Sequence, residues 1–284
     1  MFYERVDGKK VRYGTEATGF RFKVVAARGI RRVASERAAA ASGNRKSAAA
    51  ISRARSVVYG LAMCNDWDWF CTFTLDRLKY DRFALDVWRR DFCQFLRNQR
   101  RLHGGSVSYL LVPERHHDGA WHMHGFMSGL PCGCLSEFDP QAHPLDLVRG
   151  GFRNWAAVSE RFGYCSLAPV RSHHAAAGYI TKYVSKGLAG RCGDVGEHLY
   201  FASRGLQRPE VVFSGSMAMP SARAQQPDYS DEWCRVWWFD ARETVCEVCE
   251  VESACFPLSA TNEPEKRPAV GRSDGVDAAE LTFW

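Results

Sequence analysis

Tyr109-Leu110-Leu111-Val112-Pro113-Glu114-Arg115-His116-His117-Asp118-Gly119-Ala120-Trp121-His122-Met123-His124-Gly125-Phe126-Met127 is the stretch from which the rest of the chain can be read. Side chains of an extended strand alternate between faces, so His122 and His124 project together while Met123 turns the other way. Val107 to Val112 is a β-prone apolar run, and His117-Asp118-Gly119-Ala120 is a turn-like break before Trp121 to Met127. The segment therefore predicts a β-hairpin whose return brings Glu114 towards the histidines. Two imidazoles and a carboxylate form a mixed donor set that suits Mg²⁺ or Mn²⁺, with open positions for water and phosphate oxygen. Zn²⁺ accepts the same set, and these residues alone do not choose the metal. A His-x-His pair also occurs simply as the polar edge of a core strand.

Charge is distributed unevenly around that centre. Residues 1–60 hold 14 Lys and Arg against 4 Asp and Glu, whereas residues 226–284 hold 5 against 13, within a net charge of +6. A basic N-terminal region suits a phosphate-rich partner, because neutralising phosphates releases counterions from nucleic acid, although a solvated basic surface has the same composition. Met1 to Lys10 lacks an apolar signal region, and no apolar run approaches the roughly 18 residues of a membrane span. A soluble, cytoplasmic protein without a membrane partner is expected. Eleven cysteines in a chain of this length read as reduced thiols.

Taken in order, residues 1–33 show short, irregular β-like pieces such as Phe20 to Ala26. Val33 to Ala41 and Ser47 to Met63 are alanine-rich helical segments broken at Ser42-Gly43-Asn44, and Arg53 and Arg55 stud the second, suited either to a DNA backbone or to water. Trp67 to Leu75 alternates as a strand with one buried face. Asp81 to Leu102 carries a helical stripe of Ala84, Val87, Trp88, Phe92, Phe95 and Leu96. After the hairpin, Ser128 to Gly150 is a long Pro- and Gly-containing loop, Phe152 to Phe162 a second short helix and Tyr164 to Val170 a fourth strand. The order β-α-β-β-α-β predicts an α+β, ferredoxin-like fold, an antiparallel sheet with helices on one face. Ser172 then offers an N-cap to a third helix from about His173 to Lys186, with Gly187 placed to stop it.

That third helix places Tyr179 and Tyr183 at i and i+4, with Lys182 and Lys186 three residues after each. The phenols lie about 5 to 6 Å apart at Cβ on one side of the helix. A phenol with a pKa of about 10 is a weak nucleophile at neutral pH and needs a nearby positive charge or base. Lys182 and Lys186 either lower that cost or hold the phosphate under attack. Packing of both tyrosines with Ile180 and Val184, the lysines reaching to water, would produce the same pattern.

Together the motifs of Asn65 to Pro209 resemble the HUH endonucleases, most closely the rolling-circle replication initiators of small single-stranded DNA phages and related plasmids. Phe70-Cys71-Thr72-Phe73-Thr74-Leu75 is similar to the family's first strand motif, His122-Met123-His124 to its HUH motif and Tyr179-x3-Tyr183 to its two-tyrosine motif. Glu114 sits where such initiators place an acidic third ligand, and Ser203-Arg204-Gly205-Leu206-x2-Pro209 resembles a stretch that follows the tyrosines. The resemblance implies nicking of a single-stranded DNA origin by tyrosine transesterification, a 5′-phosphotyrosine link, a free 3′-OH for rolling-circle synthesis and later rejoining. It implies a metal held by Glu114, His122 and His124, catalysis by Tyr179 and Tyr183 with Lys182 and Lys186, and DNA contacts from Lys182, Lys186, Arg171, Arg53 and Arg55. Host replication machinery, a helicase and a polymerase, is the further partner expected, since the chain has no P-loop pattern.

The expected organisation is a basic N-terminal arm with helical segments (1–63), an HUH/RRM-like nuclease domain (64–225), an acidic Cys- and Trp-rich extension (226–256) and a disordered tail (257–284). Cys234, Cys246, Cys249 and Cys255 are spaced irregularly for zinc, and Trp233 to Phe239 suggests a packed strand. Two other activities fit the same residues: a metal-dependent phosphodiesterase using activated water, and a non-catalytic single-stranded or origin DNA-binding protein.

Overall fold

The structure, a computed structural model, describes residues 3–15, 19–27, 42–189, 199–230 and 234–240, with side chains left undescribed at 19, 27, 42–49, 132, 185–189 and 240. In chain order the elements are β1 (Tyr3–Thr15), β2 (Gly19–Ala27), α1 (Ser42–Met63), β3 (Trp69–Leu75), α2 (Leu85–His103), β4 (Ser108–Arg115), β5 (Trp121–Ser128) and β6 (Leu135–Glu137). They continue with α3 (Leu145–Arg149), β7 (Arg153–Trp155), α4 (Ala156–Arg161), β8 (Gly163–Pro169), α5 (His173–Ala189), β9 (Phe201–Ala202), β10 (Glu210–Pro220), α6 (Ser221–Gln225), β11 (Tyr229–Ser230) and β12 (Cys234–Asp240).

The chain divides into two compact units, one from each end of the sequence and one from its middle. The middle unit is built on a sheet of order β6-β7-β8-β3-β5-β4-β9. Its central strands, β8-β3-β5-β4, are fourth, first, third and second among the strands of the β3-α2-β4-β5-α4-β8 run, and each pairs antiparallel with its neighbour. This is a ferredoxin-like arrangement.

Strand alternation divides the sheet into two chemically different faces. Cys71, Phe73, Leu75, Leu111, Met123 and Met127 meet Trp88, Phe92, Phe95 and Leu96 of α2 and Val158 of α4 in one apolar cluster. Trp88 and Phe92 stack at 4.7 Å between centroids, and both are 1% exposed. Full burial of such a side chain stabilises by about 1.5–3 kcal/mol. The opposite face carries Phe70, Thr72, Thr74, His122, His124 and Phe126. There Trp67 and Phe70 pack on Phe126, Phe70 meets Tyr179 of α5, and α1 packs along α5. Helices thus lie on both faces of the sheet, where the sequence pattern predicts them on one. The β-α-β-β-α-β order accounts for α2 and α4; the second layer comes from segments before and after it.

Several local expectations shift. The helix expected over Phe152 to Phe162 is shorter, because Arg153–Trp155 pairs as β7 with β6 before α4 begins. Gly187 does not stop α5, which runs on to Ala189. Ser42-Gly43-Asn44 forms the first turn of α1 rather than a break. The 128–150 loop contains a short strand and a short helix. Ser172 does act at the α5 start: its Oγ accepts the Ala175 N–H at 3.3 Å.

The other unit differs most from the expected division. Residues 3–27 form a hairpin, not an arm with helical segments, and that hairpin joins strands from 210–240 in a five-stranded antiparallel sheet of order β10-β1-β2-β12-β11. Its core is Val6, Val24, Ala26, Met217, Met219, Ala224, Trp237 and Phe239. The boundaries at 63 and 225 therefore do not coincide with the compact units, since residues 210–220 pair with the N-terminal hairpin. Trp237 is a packed strand residue, fully buried. Val33–Ala41, Trp233, Cys246, Cys249, Cys255 and the tail 257–284 lie outside the described residues.

Candidate active site

The hairpin of β4 and β5 turns through Gly119, whose φ of +85° suits glycine. The His116 N–H donates to the Ala120 carbonyl at 2.8 Å, and Asp118 Oδ1 accepts the Ala120 N–H at 2.9 Å. Arg82 pairs with Asp118 at 3.2 Å, tying the turn to the segment before α2. The resulting register sets Glu114 directly opposite His122 and Val112 opposite His124. Gly125 is required beside His124: a Cβ there would stand 2.0 Å from the Leu110 carbonyl oxygen.

On the other side of β5, the register sets Thr72 opposite His124 and Thr74 opposite His122. Their hydroxyls lie 3.2 Å and 3.3 Å from the respective Nδ1 atoms. His124 Nε2 is 2.9 Å from Glu114 Oε2. An ionised carboxylate only accepts, so the imidazole donates this bond. Burial, with His116 and His124 nearby, lowers the pKa of His122 to about 4, so its ring is neutral at ordinary pH. His116 stacks on His122 at 4.9 Å between centroids.

α5 lays its tyrosines over this group. The Tyr183 ring is stacked on His124, centroids 3.9 Å apart at 15°. The Tyr183 hydroxyl donates to that of Tyr179 at 2.6 Å. Tyr183 is 9% exposed, and Tyr179 packs its ring against Phe70. Lys182 is exposed, its Nζ 5.1 Å from the Tyr179 ring centroid. Two phenols, two imidazoles, a carboxylate and an ammonium are thereby gathered from β4, β5 and α5, segments that meet only in the folded sheet.

These donors fit a divalent cation in kind. The two histidines share a face, each has Nδ1 engaged by a hydroxyl, and the carboxylate already reaches one Nε2. Among the described residues, no three His, Cys, Asp or Glu side chains already stand in a closed metal cluster. Occupation requires Glu114 to give up its bond to His124.

The remaining candidate residues are not gathered here. Arg171 is exposed and its Nη2 donates to the Gly150 carbonyl at 2.9 Å. Arg53 and Arg55 are exposed on α1, with no described interaction joining them to the histidines. The Lys186 side chain lies outside the described residues. His173 is structural: its Nε2 accepts the Trp67 N–H at 3.2 Å, fixing the start of α5 near β3. The Ser203 stretch is also a fastening. Tyr109 N–H donates to Ser203 Oγ at 3.1 Å, and the Asn65 side chain holds the Gln207 backbone at 2.9 and 3.0 Å. Reading the sequence overlooked the roles of Thr72, Thr74, His116 and Gly125. The signal for the threonines is parity, since they occupy alternate positions of a strand adjacent to the His-x-His strand.

An antiparallel ferredoxin-like sheet with imidazoles, a carboxylate and helix-borne phenols on one face describes the class. Residues 68–188, from just before β3 almost to the end of α5, match the family model for the replication-associated protein ORF2 group, in keeping with a Rep-type replication initiator. No curated protein and no solved structure matches the chain. Among the described residues no helix is long and apolar enough to cross a membrane.

Proposed function

We propose that the chain is a replication initiator of the HUH type that nicks a single-stranded DNA origin by tyrosine transesterification and rejoins ends at termination. The observation that carries this reading is the stacking of Tyr183 on His124, with Tyr179 hydrogen bonded to Tyr183. It brings nucleophile and phosphate-activating groups to one place.

In this reading a phenolic oxygen attacks the scissile phosphorus in line. A tyrosine O–P bond forms, the P–O3′ bond breaks, the phenol proton leaves to water and the departing 3′ oxygen takes up a proton. The 5′ phosphate stays on the protein, and the free 3′-OH is available to a host polymerase. Lys182 beside the Tyr179 ring favours a phenolate and attracts phosphate. Tyr183 donates to Tyr179, which stabilises negative charge on that oxygen. With two phenols, one remains available while the other is esterified, which permits a closing cleavage by the same molecule. A divalent cation, Mg²⁺ or Mn²⁺, held by Glu114, His122 and His124, supplies neutralisation of charge on the phosphate oxygens when bound.

The test is incubation of the full chain with its replicon's single-stranded origin DNA, with and without Mg²⁺ or Mn²⁺. Metal-dependent cleavage with the protein attached to the 5′ side is expected. Metal-dependent cleavage without an adduct would replace the tyrosines by activated water, and binding without cleavage in any metal would leave a DNA-binding protein.

A further inference from the structure

We propose that Thr72 and Thr74 are positioning residues whose hydroxyls support His124 and His122 in either tautomer, so that each Nε2 can pass from hydrogen bonding to holding a cation without the ring turning. The cation half of this inference rests on the function proposed above.

The support is built in duplicate. Each threonine stands directly opposite its histidine in the β3–β5 ladder, and each places Oγ1 at hydrogen-bond distance from Nδ1, 3.2 Å and 3.3 Å. Strand geometry does not require a hydroxyl at either position. Valine has nearly the same shape, favours strands equally and would suit the aromatic floor formed nearby by Phe70 and Phe126. The hydroxyls therefore serve the rings.

The chemistry of that service follows from counting protons. A neutral imidazole has one N–H and one lone pair. While His124 Nε2–H donates to Glu114, Nδ1 carries the lone pair and Thr72 must donate to it. With the Nε2 lone pair on a cation, Nδ1 carries the proton and Thr72 must accept from it. One proton leaves Nε2 to water, another is taken up at Nδ1, and the ring stays neutral. A hydroxyl can serve both states by rotating its hydrogen, whereas a carboxylate or backbone carbonyl can only accept. Tyr183, stacked on His124 at 3.9 Å, keeps its seat because the ring plane does not move.

The experiment uses the full chain labelled with ¹⁵N in its histidines, read by long-range ¹H–¹⁵N correlation, together with Mn²⁺ affinity from the free-ion EPR signal in the absence of DNA. In the metal-free wild type, His124 is expected as the Nε2–H tautomer, reversing to Nδ1–H as Mg²⁺ is added. The Thr72→Val/Thr74→Val double variant should show altered ring-nitrogen signals for His122 and His124 before any metal is added, and about 10- to 100-fold weaker Mn²⁺ binding. The Thr72→Ser/Thr74→Ser variant should restore both. Valine keeps the bulk and loses the hydroxyl, whereas serine loses bulk and keeps it, so a packing defect and a lost hydrogen bond separate cleanly. Wild-type ring signals and Mn²⁺ affinity in the valine variant would overturn the role of the threonines. A wild-type chain that takes up neither ion would instead remove the metal reading of the site and the exchange with it.

Discussion

The two faces of the seven-stranded sheet are made from the same strands yet do opposite work. On one, Phe73 and Met123 disappear under α2 with Trp88 and Phe92, a face with no described charge in its core. On the other, the intervening residues Thr72, Thr74, His122 and His124 meet Tyr183 from α5. Strand alternation lets a two-residue period carry a sealed core and a polar site together. Stability can be concentrated in α2 and its contacts, leaving the opposite face free to hold neutral imidazoles and phenols that contribute little to folding.

That division makes four predictions, beginning with the largest effect. Replacing both nucleophiles, Tyr179→Phe/Tyr183→Phe, should abolish the covalent DNA adduct on denaturing gels while thermal melting stays close to wild type; an adduct that persists removes these tyrosines from the chemistry. His122→Ala, or chelation of divalent ions, should reduce cleavage at least about 100-fold with single-stranded DNA binding largely retained by fluorescence anisotropy; undiminished cleavage would count against the metal ligands. On the sealed face, Phe92→Ala should cost about 3–5 kcal/mol in urea denaturation. At low temperature, the fraction still folded should nick normally, and a specific loss of activity there would blur the contrast between the faces. The smallest effect is Ser172→Ala, which removes an N-cap from α5 and should cost about 0.5–2 kcal/mol by the same measurement.

Much of the site is written locally. Alternation marks His122 and His124 as neighbours on one face, the turn around Gly119 returns Glu114 to them, and helical spacing puts Tyr179 beside Tyr183. Thr72 and Thr74 are visible as alternate residues of a strand but cannot be matched to the histidines from sequence, because strand order and register depend on pairing between segments roughly fifty residues apart. The N-terminal residues are harder still. Their basic composition points to an arm, whereas burial of Val6, Val24 and Ala26 against Met217 and Trp237 draws them into a sheet with residues from far along the chain.

Short-range patterning was therefore sufficient for the β-α-β-β-α-β core, the hairpin and the pairing of like groups within each motif, since two- and four-residue periods are properties of a single strand or helix. Folding alone settled that α5 covers the histidine face, that Glu114 reaches His124 and that Tyr183 stacks upon it. Those contacts depend on how separate elements bury their apolar surfaces against a common sheet, and no single segment contains that information.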